Sequence, residues 1–417
     1  MTITSIISAI GNNSSVYPLI LRDCAIEVPS KIYITRKENL KESKQKANDA
    51  TREKFIDEYA TSAVWLGGIP LCEKLGDKFI SKKGYNPLVS IKLYKEEEFQ
   101  GLEYNIKKFR DLAPEAVEDL KKVLGNKSVY EKYMAKKFIA AITIPTLLMG
   151  YILPKTNFAL TKFIKNKRIK DGKKDSYNNK PSFNTFTSRQ SKNISFGNNI
   201  MSTIANLKTV DKMAVTDGGL TVGRVGTSRN KDEAYVNAFR MLGSMFLNFV
   251  APKYIAKFLD TCANKFFKIN VNLDPLIMEN DKFIEAIKNN KIKLPKSDSA
   301  KDLFEFIDSN PKSLFCKFAQ QSEIISYLEN GIRDPRKYVD INSLRTFKKE
   351  FESFIQSAKF AKNINKFTQK AKFIKCGNII ANIGISSTLL AVALPKAQYW
   401  FNKLVTGSYS DPGLRDK

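Results

Sequence analysis

The chain has 417 residues, a formal net charge of +27 and no His. The missing imidazole excludes Ser-His-Asp and Cys-His nucleophilic centres and His-ligated zinc. The five cysteines are isolated and form no C-x-x-C pair, so neither a disulfide framework nor a thiolate metal site is predicted. We therefore expect a non-enzymatic protein with no catalytic residues, no metal and no cofactor.

The excess of basic charge favours anionic partners, and the proportion of Lys to Arg indicates which class of anionic partner is expected. Only 13 of the 69 basic residues are Arg. Arg is the side chain that reads phosphates and bases through paired hydrogen bonds, so a Lys-dominated excess fits diffuse attraction to an anionic lipid membrane better than recognition of nucleic acid. A coding bias toward Lys, Asn and Ile explains the same excess without any function.

The first 137 residues contain one of four apolar segments. Residues 26–35 look extended, and residues 36–56 form a charged helical stretch. The first apolar segment, 59–72, follows and contains Pro70. Between residues 93 and 137, apolar residues at three- and four-residue spacing predict amphipathic helices, the second of which opens at Pro114.

The second apolar segment, 138–154, has seventeen residues without a charge, which is within the range of a membrane-spanning helix. Beyond it, residues 165–199 are rich in Lys, Asn, Ser and Gly and poor in aliphatic side chains. Such a sequence cannot bury enough surface to order itself, so it predicts a disordered basic linker. The linker separates an N-terminal helical region, 1–164, from a C-terminal one, 200–417.

A Gly-rich stretch, 217–230, lies near the start of the C-terminal region. It predicts a loop or hairpin that enters a helix near Asp232. Its backbone N–H groups and guanidinium groups suit a phosphate, but the stretch matches neither the P-loop nor the dinucleotide-binding motif. Phosphate binding is therefore the weaker interpretation, and its candidate residues are Gly219, Gly223, Arg224, Gly226, Thr227 and Arg229.

The rest of the chain holds two further apolar segments and several soluble helices. The third segment, 238–252, is interrupted by Arg240, and soluble helices are expected from residue 274 to 330. A long amphipathic helix over 340–375 leads into the fourth segment, 376–395, which has twenty residues without a charge. On this segment Gly377, Ala381 and Gly384 form a face of small residues that suits helix–helix self-association.

Two patterns recur at the apolar segments. A Lys followed by two large apolar residues predicts a membrane boundary, because the stem of the side chain stays in the apolar phase while the ammonium reaches water. These boundary residues are Lys54, Lys78, Lys137, Lys162, Lys372 and Lys403. Each segment also contains a proline that predicts a helix kink, with a hydroxyl residue eight positions earlier. These prolines are Pro70, Pro154, Pro252 and Pro395.

Together these patterns predict an all-α protein with two to four apolar, Pro-kinked, membrane-associated helices. Spanning is favoured for the second and fourth segments, whereas a soluble bundle would use all four as its core. The positive-inside rule places residues 165–375 in the cytoplasm, and a Pro-kinked hairpin or interfacial helix that enters and leaves on one face would let every basic flank meet the anionic leaflet.

The leading functional hypothesis is a membrane-associated structural or scaffold protein. The alternative is a soluble basic helical protein that binds nucleic acid or another polyanion. An enzyme that uses the 217–230 stretch to hold a phosphate ligand is a more distant third hypothesis.

Overall fold

The computed structural model of the chain describes residues 2–12, 16–95, 97–170, 209–409 and 412. Within these residues the protein is all-α, with no strands and 14 helices, which confirms the predicted class. The extended conformation predicted for residues 26–35 is wrong, because the helix Val28–Leu40 covers most of them. Its β-branched residues are held in a helix by packing, with Val28 and Ile34 buried, and such packing overrides local propensity.

Five long helices share one construction, in which an α-helix passes into a π-helical segment and then into a second α-helix without a break. The π-helical segments are Leu21–Glu27, Val64–Gly68, Leu148–Ile152, Phe246–Val250 and Leu389–Ala393. Each ends two residues before a proline, so Pro29 joins the four prolines singled out in the sequence. At Pro154 the preceding Leu153 donates its N–H to the carbonyl of Leu148, five residues back. A proline has no N–H and crowds the carbonyl four residues earlier, and the wider turn accommodates both effects.

These five helices run over 17–40, 44–82, 127–170, 231–267 and 364–406. Their α-helical parts are Tyr17–Ile20, Val28–Leu40, Lys44–Ala63, Ile69–Lys82, Lys127–Leu147, Leu153–Lys170, Lys231–Met245, Ala251–Phe267, Ile364–Thr388 and Leu394–Thr406. A sixth long helix, Thr209–Gly226, has no π-helical segment. We call these six the ring helices and name each by its residue range.

The ring helices form a closed ring in chain order, since each packs against the next and the last packs against the first. Two pairs are antiparallel hairpins, with turns at residues 41–43 and 227–230. The 127–170 and 209–226 helices run parallel, because Gly219 lies against Thr146 and Gly223 lies against Gly150. The chain does not turn back at Pro154: the helix continues to Lys170, since the π-helical segment accommodates the proline.

The ring is built from two halves with the same order of elements. In each half a shorter helix, a tight turn and a long helix are followed by a globular insertion and a second long helix. The insertions are residues 83–126 in the first half and 268–363 in the second. The linker predicted over 165–199 begins inside the first half, because residues 165–170 belong to the helix Leu153–Lys170; residues 171–199 lie outside the described residues.

The two insertions pack together into one globular cap at one end of the ring. Ser90 N–H donates to the carbonyl of Arg336 at 2.8 Å, and the Gln100 amide donates to Val339 O at 3.0 Å. The helix predicted over 340–375 is divided, because Ile341–Lys359 ends in the cap and Asn363 caps the start of a ring helix. The cap elements are the 3-10 turn Ile91–Tyr94 and the helices Leu102–Phe109, Pro114–Gly125, Pro275–Met278, Asp281–Lys288, Ala300–Ser309, Leu314–Gln321 and Ile341–Lys359. An N-terminal helix, Ile3–Gly11, packs on the 364–406 helix beside the cap.

The cap buries mainly apolar side chains, whereas the ring also buries many charged ones. The cap encloses a cluster of Phe residues, and among its described residues the exposed large apolar side chains are Leu88, Leu112 and Phe360. The ring exposes large apolar side chains on all six helices, and it buries charged ones. Exposed ring residues include Tyr33, Phe55, Leu147, Val222, Phe246 and Trp400. Buried ring residues include Glu27, Lys31, Asp49, Glu53, Asp217, Arg224, Glu233 and Arg240.

Two ring helices are long and apolar enough to cross a membrane by length and composition, and they contain the second and fourth apolar segments. They extend over Lys127–Arg168 and Ile364–Thr406. Only 28% and 33% of their most apolar windows are buried, whereas a core helix of a soluble bundle is mostly buried. The first and third segments belong to ring helices that do not meet the same criterion within the described residues.

Candidate functional site

The Gly-rich stretch forms a helix rather than the predicted loop. Thr209–Gly226 is α-helical, and Gly219 and Gly223 serve close packing between helices. A Cβ on Gly219 would lie 2.7 Å from Thr146 Cγ2, and a Cβ on Gly223 would lie 2.9 Å from Gly150 Cα. Only glycine permits this approach, so the loop expected from glycine content is replaced by a helix contact. The N–H groups of a phosphate-binding loop are therefore absent from residues 217–226.

The remaining members of the phosphate-candidate set face groups of the protein itself. Thr227 Oγ1 donates to the carbonyl of Gly223 at 2.9 Å, so it closes the end of the helix. Arg224 forms an ion pair with Asp57 and donates to Thr61 Oγ1 at 2.7 Å. Both of these guanidinium contacts point into the ring, and the carboxylate neutralises the charge that a phosphate would require.

A network of ion pairs occupies the ring interior around Glu58. Its carboxylate accepts from Lys54 at 2.7 Å, from Arg240 at 3.2 Å and from Lys31 at 3.3 Å. Lys31 also pairs with Glu27 on its own helix. The five residues of this network, Glu58, Lys54, Arg240, Lys31 and Glu27, come from three different ring helices. Their ion pairs therefore hold the two halves together by charge.

A second group of ion pairs lies between the network around Glu58 and the end of the ring opposite the cap. Arg229 pairs with Glu53 at 3.2 Å and with Glu233 at 2.9 Å, and its guanidinium lies over the ring of Phe158 at 4.1 Å. Closer to that end, Arg168 forms a two-pronged pair with Asp49 at 2.7 and 2.8 Å. Most of this group is internally neutralised, so it stabilises the packing of helices rather than offering a vacant site.

A cavity of about 60 Å³ lies beside the network at the meeting point of the two hairpins. Of the described residues that line it, Glu27 is 1% exposed, and its Oε2 atom has no hydrogen-bond partner. The carboxylate of Asp217, 8% exposed, accepts no hydrogen bond from any described residue, while Asp23 is bonded by the Ser62 hydroxyl. The full lining is Asp23, Glu27, Lys31, Glu58, Thr61, Ser62, Trp65, Asp217, Leu220, Arg224, Arg240, Met241, Ser244 and Asn248.

A larger cavity of about 420 Å³ lies where the N-terminal helix, the cap and the ring meet. Its charged groups are paired with one another: Asp274 accepts from Ser8 Oγ at 2.6 Å, and Asp260 accepts from Asn378 at 2.9 Å and pairs with Lys375. The smaller cavity, where Glu27 Oε2 has no hydrogen-bond partner and Asp217 has no ion-pair partner among the described residues, is therefore the stronger candidate.

The predicted membrane-boundary lysines fall into three groups. Lys54 does not reach water, because its ammonium is held by Glu58 inside the ring. Lys137 and Lys372 reach the cap side of the ring and pair there with Asp77 and Glu279. The exposed ones are Lys78, Lys162 and Lys403. The failure at Lys54 has a physical cause: a carboxylate one helical turn away offers a closer partner than solvent.

Two other sequence patterns are placed by the structure. The hydroxyl of Ser62 bonds the carboxylate of Asp23 on a neighbouring helix instead of a carbonyl of its own helix. No described residue packs closely on the glycines of the small-residue face of the fourth segment, because a Cβ on Gly377 or Gly384 would meet no atom within 4 Å. Self-association through this face remains a prediction.

The sequence patterns did not predict the network of ion pairs in the ring or the π-helical segment before Pro29. The charged residues of the network nevertheless left a signal in the sequence. Charged residues inside or beside apolar segments mark inward positions, and Arg240 interrupts the third segment for this reason. Asp217 is likewise isolated between uncharged residues, and Asp49, Glu53 and Asp57 recur at four-residue spacing on one helix face. What no local pattern shows is that these residues meet, since they come from helices far apart in the chain.

No family model, curated protein or solved structure matches the chain. The functional argument therefore depends on the geometry and charge of the ring.

Proposed function

We propose that the ring is embedded in a membrane and that the protein binds a small polar solute where its two halves meet, as membrane transport proteins do. The observation that carries this proposal is the inverted polarity of the ring, which has large apolar side chains outside and charged ones inside. A water-soluble bundle has no reason to expose such a surface, since large contiguous apolar patches on soluble proteins mark contact with a partner or a membrane.

The uncharged stretches of neighbouring helices lie at the same height, which supports a continuous apolar band. On one side of the ring, the Lys137–Asp77 pair and the Asn157–Glu53 hydrogen bond bracket the uncharged stretches 138–154 and 59–72. The stretch 138–154 is about 25 Å long as a helix, against about 30 Å for the hydrocarbon of a bilayer.

The opposite side of the ring has the same arrangement. The Lys375–Asp260 pair and the stacked rings of Phe239 and Phe401, 4.7 Å apart, bracket the uncharged stretches 376–395 and 241–252. Four of the six ring helices therefore carry an uncharged stretch that is matched in height on the neighbouring helix, which supports embedding in a membrane.

A role in binding a solute is supported by the position of the charges. Removing an ion pair from water costs several kcal/mol per ion, and this is recovered only with close partners, so intramembrane charges usually have a function. Transporters built from repeated halves bind their substrates near the middle of the membrane between the halves, often beside interrupted helices. Here the cavity lies between two hairpins that occupy the same position in each half, and π-helical segments adjoin it.

A structural or scaffold role is the second candidate function. It is favoured by the mutual pairing of most charges around Glu58 and Glu53, which holds the halves together without a ligand. In that case the cap would be the surface that contacts other molecules. Solute binding remains the better-supported function because pairing alone leaves the carboxylates of Glu27 and Asp217 unexplained.

The membrane proposal is tested by making the same change, from Leu to Lys, once inside the apolar band and once outside it. Leu147 lies near the middle of the uncharged stretch and is 53% exposed, and Leu112 in the cap is 52% exposed. A Lys at mid-membrane costs about 2.5–3.5 kcal/mol on insertion scales, so Leu147→Lys should reduce the amount of protein that remains in carbonate-washed membranes.

The matched control is Leu112→Lys, which should leave that amount unchanged. In a soluble bundle both positions are exposed surface, where such a change alters stability by less than about 0.5 kcal/mol. Equal behaviour of the two variants and the wild type would contradict the membrane proposal.

A further inference from the structure

We infer that the cavity beside Glu58 binds one small monovalent cation between Glu27 and Asp217. The inference rests on the proposed function and deepens it, because it states the charge and size of the solute. The two carboxylates belong to the 17–40 and 209–226 helices, which open the two halves of the ring.

Two carboxylates of the lining, Asp23 and Asp217, form no ion pair among the described residues, whereas Glu58 is also paired with Lys54, which lies outside the lining. Four carboxylates line the cavity, at Asp23, Glu27, Glu58 and Asp217, against three cationic groups. Of those three, Arg240 is bound to Glu58, and Arg224 is bound to Asp57 outside the lining. Lys31 is shared between Glu27 and Glu58, so Asp217 has no ion-pair partner among the described residues.

Among the lining atoms that are buried without a hydrogen-bond partner, the acceptor is a carboxylate oxygen, which is what a cation requires, and the donors are Nε1 of Trp65 and Nε of Arg224 and Arg240. Glu27 uses Oε1 for Lys31, and its Oε2 has no partner although the side chain is almost fully buried. An unpaired buried carboxylate oxygen is expensive to maintain, so a ligand that supplies positive charge would stabilise the site. The hydroxyls of Thr61 and Ser244 and the amide of Asn248 add further oxygen donors to the lining.

The volume restricts the ligand to an ion of the size of sodium or ammonium. A cavity of about 60 Å³ holds an ion with a few water molecules, whereas sites for drug-sized molecules measure about 300–1,000 Å³. Oxygen ligands favour hard cations over soft transition metals. No group of three acidic or Cys side chains converges closely enough to hold a metal ion among the described residues, so a water-assisted monovalent ion fits better than a divalent one.

The test measures ion binding to the purified full-length protein in detergent. Thermal unfolding is followed in NaCl and in N-methyl-D-glucamine chloride at equal ionic strength, and bound ²²Na⁺ is counted at equilibrium. We expect about one Na⁺ per chain and a melting temperature that rises with NaCl, because a ligand that binds only the folded state stabilises it. No bound ²²Na⁺ and equal melting temperatures in both salts would overturn the inference.

Variants locate the ion. Asp217→Asn and Glu27→Gln keep the shape of the side chain and remove its charge, so each should weaken Na⁺ binding at least tenfold. Asp260→Asn is the matched control, because Asp260 is a ring carboxylate already paired with Lys375 outside this cavity. Wild-type affinity in both cavity variants would overturn the assignment, and if they fail to fold, the salt comparison on the wild type still decides. A protein that stays in carbonate-washed membranes yet binds no Na⁺ would overturn the site alone, not the membrane proposal.

Discussion

Gly223 and Gly150 bring the backbones of two parallel ring helices into direct contact. A Cβ on Gly223 would lie 2.9 Å from Gly150 Cα and 3.0 Å from its carbonyl carbon and oxygen. These are backbone atoms, so no side chain can rotate away, and the two helices would have to separate. A glycine in a helix is otherwise unfavourable, which makes this packing the reason for its presence.

We expect Gly223→Ala to destabilise the protein by about 1–3 kcal/mol, as overpacking usually does. Gly226, one turn later in the same helix, has no atom within 4 Å of the corresponding Cβ position. Gly226→Ala should therefore be neutral or slightly stabilising, since Ala favours a helix. Thermal unfolding of both variants in detergent checks the pair, and equal stability would show that the two helices do not touch at Gly150.

Single residues also show where sequence reasoning fails. Lys54 followed by two apolar residues looks like a membrane boundary, yet Glu58 draws its ammonium into the ring. Arg224 and Arg229 look like ligands for a phosphate because each has a carboxylate partner more than 160 residues away in the chain, Asp57 for Arg224 and Glu53 for Arg229. A motif describes neighbours in sequence, whereas the partner that satisfies a buried charge is chosen by the tertiary fold.

At the scale of elements, proline positions were the most informative feature of the sequence. Each of the four prolines singled out in the sequence lies two residues after the end of a π-helical segment. This constant offset reflects the same backbone adjustment to a missing N–H. The carbonyl four residues before Pro154 is that of Gly150, whose oxygen lies 3.4 Å from Thr227 Oγ1 as an alternative acceptor to the carbonyl of Gly223 at 2.9 Å. The proline thus frees a carbonyl that the turn between two other ring helices uses.

This link predicts coupling between Thr227 and Pro154. Thr227→Val should cost about 0.5–1.5 kcal/mol in the wild type, and less in a Pro154→Ala background, because the new N–H at residue 154 can bond the same carbonyl. Thr261→Val is the control, since Thr261 bonds only the carbonyl of Lys257 within its own helix. Denaturant unfolding in mixed micelles measures the four free energies, and strict additivity for Thr227 would contradict the link.

At the scale of the whole molecule, the sequence predicts the class, the apolar segments and two helices long enough to span a membrane. It does not predict the closed ring or the cap, because both depend on contacts between the two halves. The basic flanks over 165–375 suggested one cytoplasmic region. In a membrane-embedded ring, however, Lys165 and the cap lie on opposite sides of the apolar band, since Arg168 pairs with Asp49 near the end opposite the cap.

The proposed embedding therefore makes a topological prediction. Glu329 is exposed in the cap, and Lys44 is exposed at the turn at the other end of the ring. In a background without the native cysteines, Glu329→Cys and Lys44→Cys should react with a membrane-impermeant maleimide from opposite sides of sealed vesicles. Labelling of both from the same side would mean that the ring does not cross the bilayer.

The matching order of the two halves has a consequence for the charge of the central cavity. In a dimer of identical chains, a site on the two-fold axis contains every ionisable group twice, so the net charge of the fully ionised site must be an even number. Joining the halves in one chain removes that parity, because Lys31 and Asp217 need no counterparts in the other half. The cavity lining, with four carboxylates and three cationic groups, has an odd charge that no symmetric dimer could display. A single covalent chain thus permits the odd site charge that the proposed binding of one monovalent cation would use.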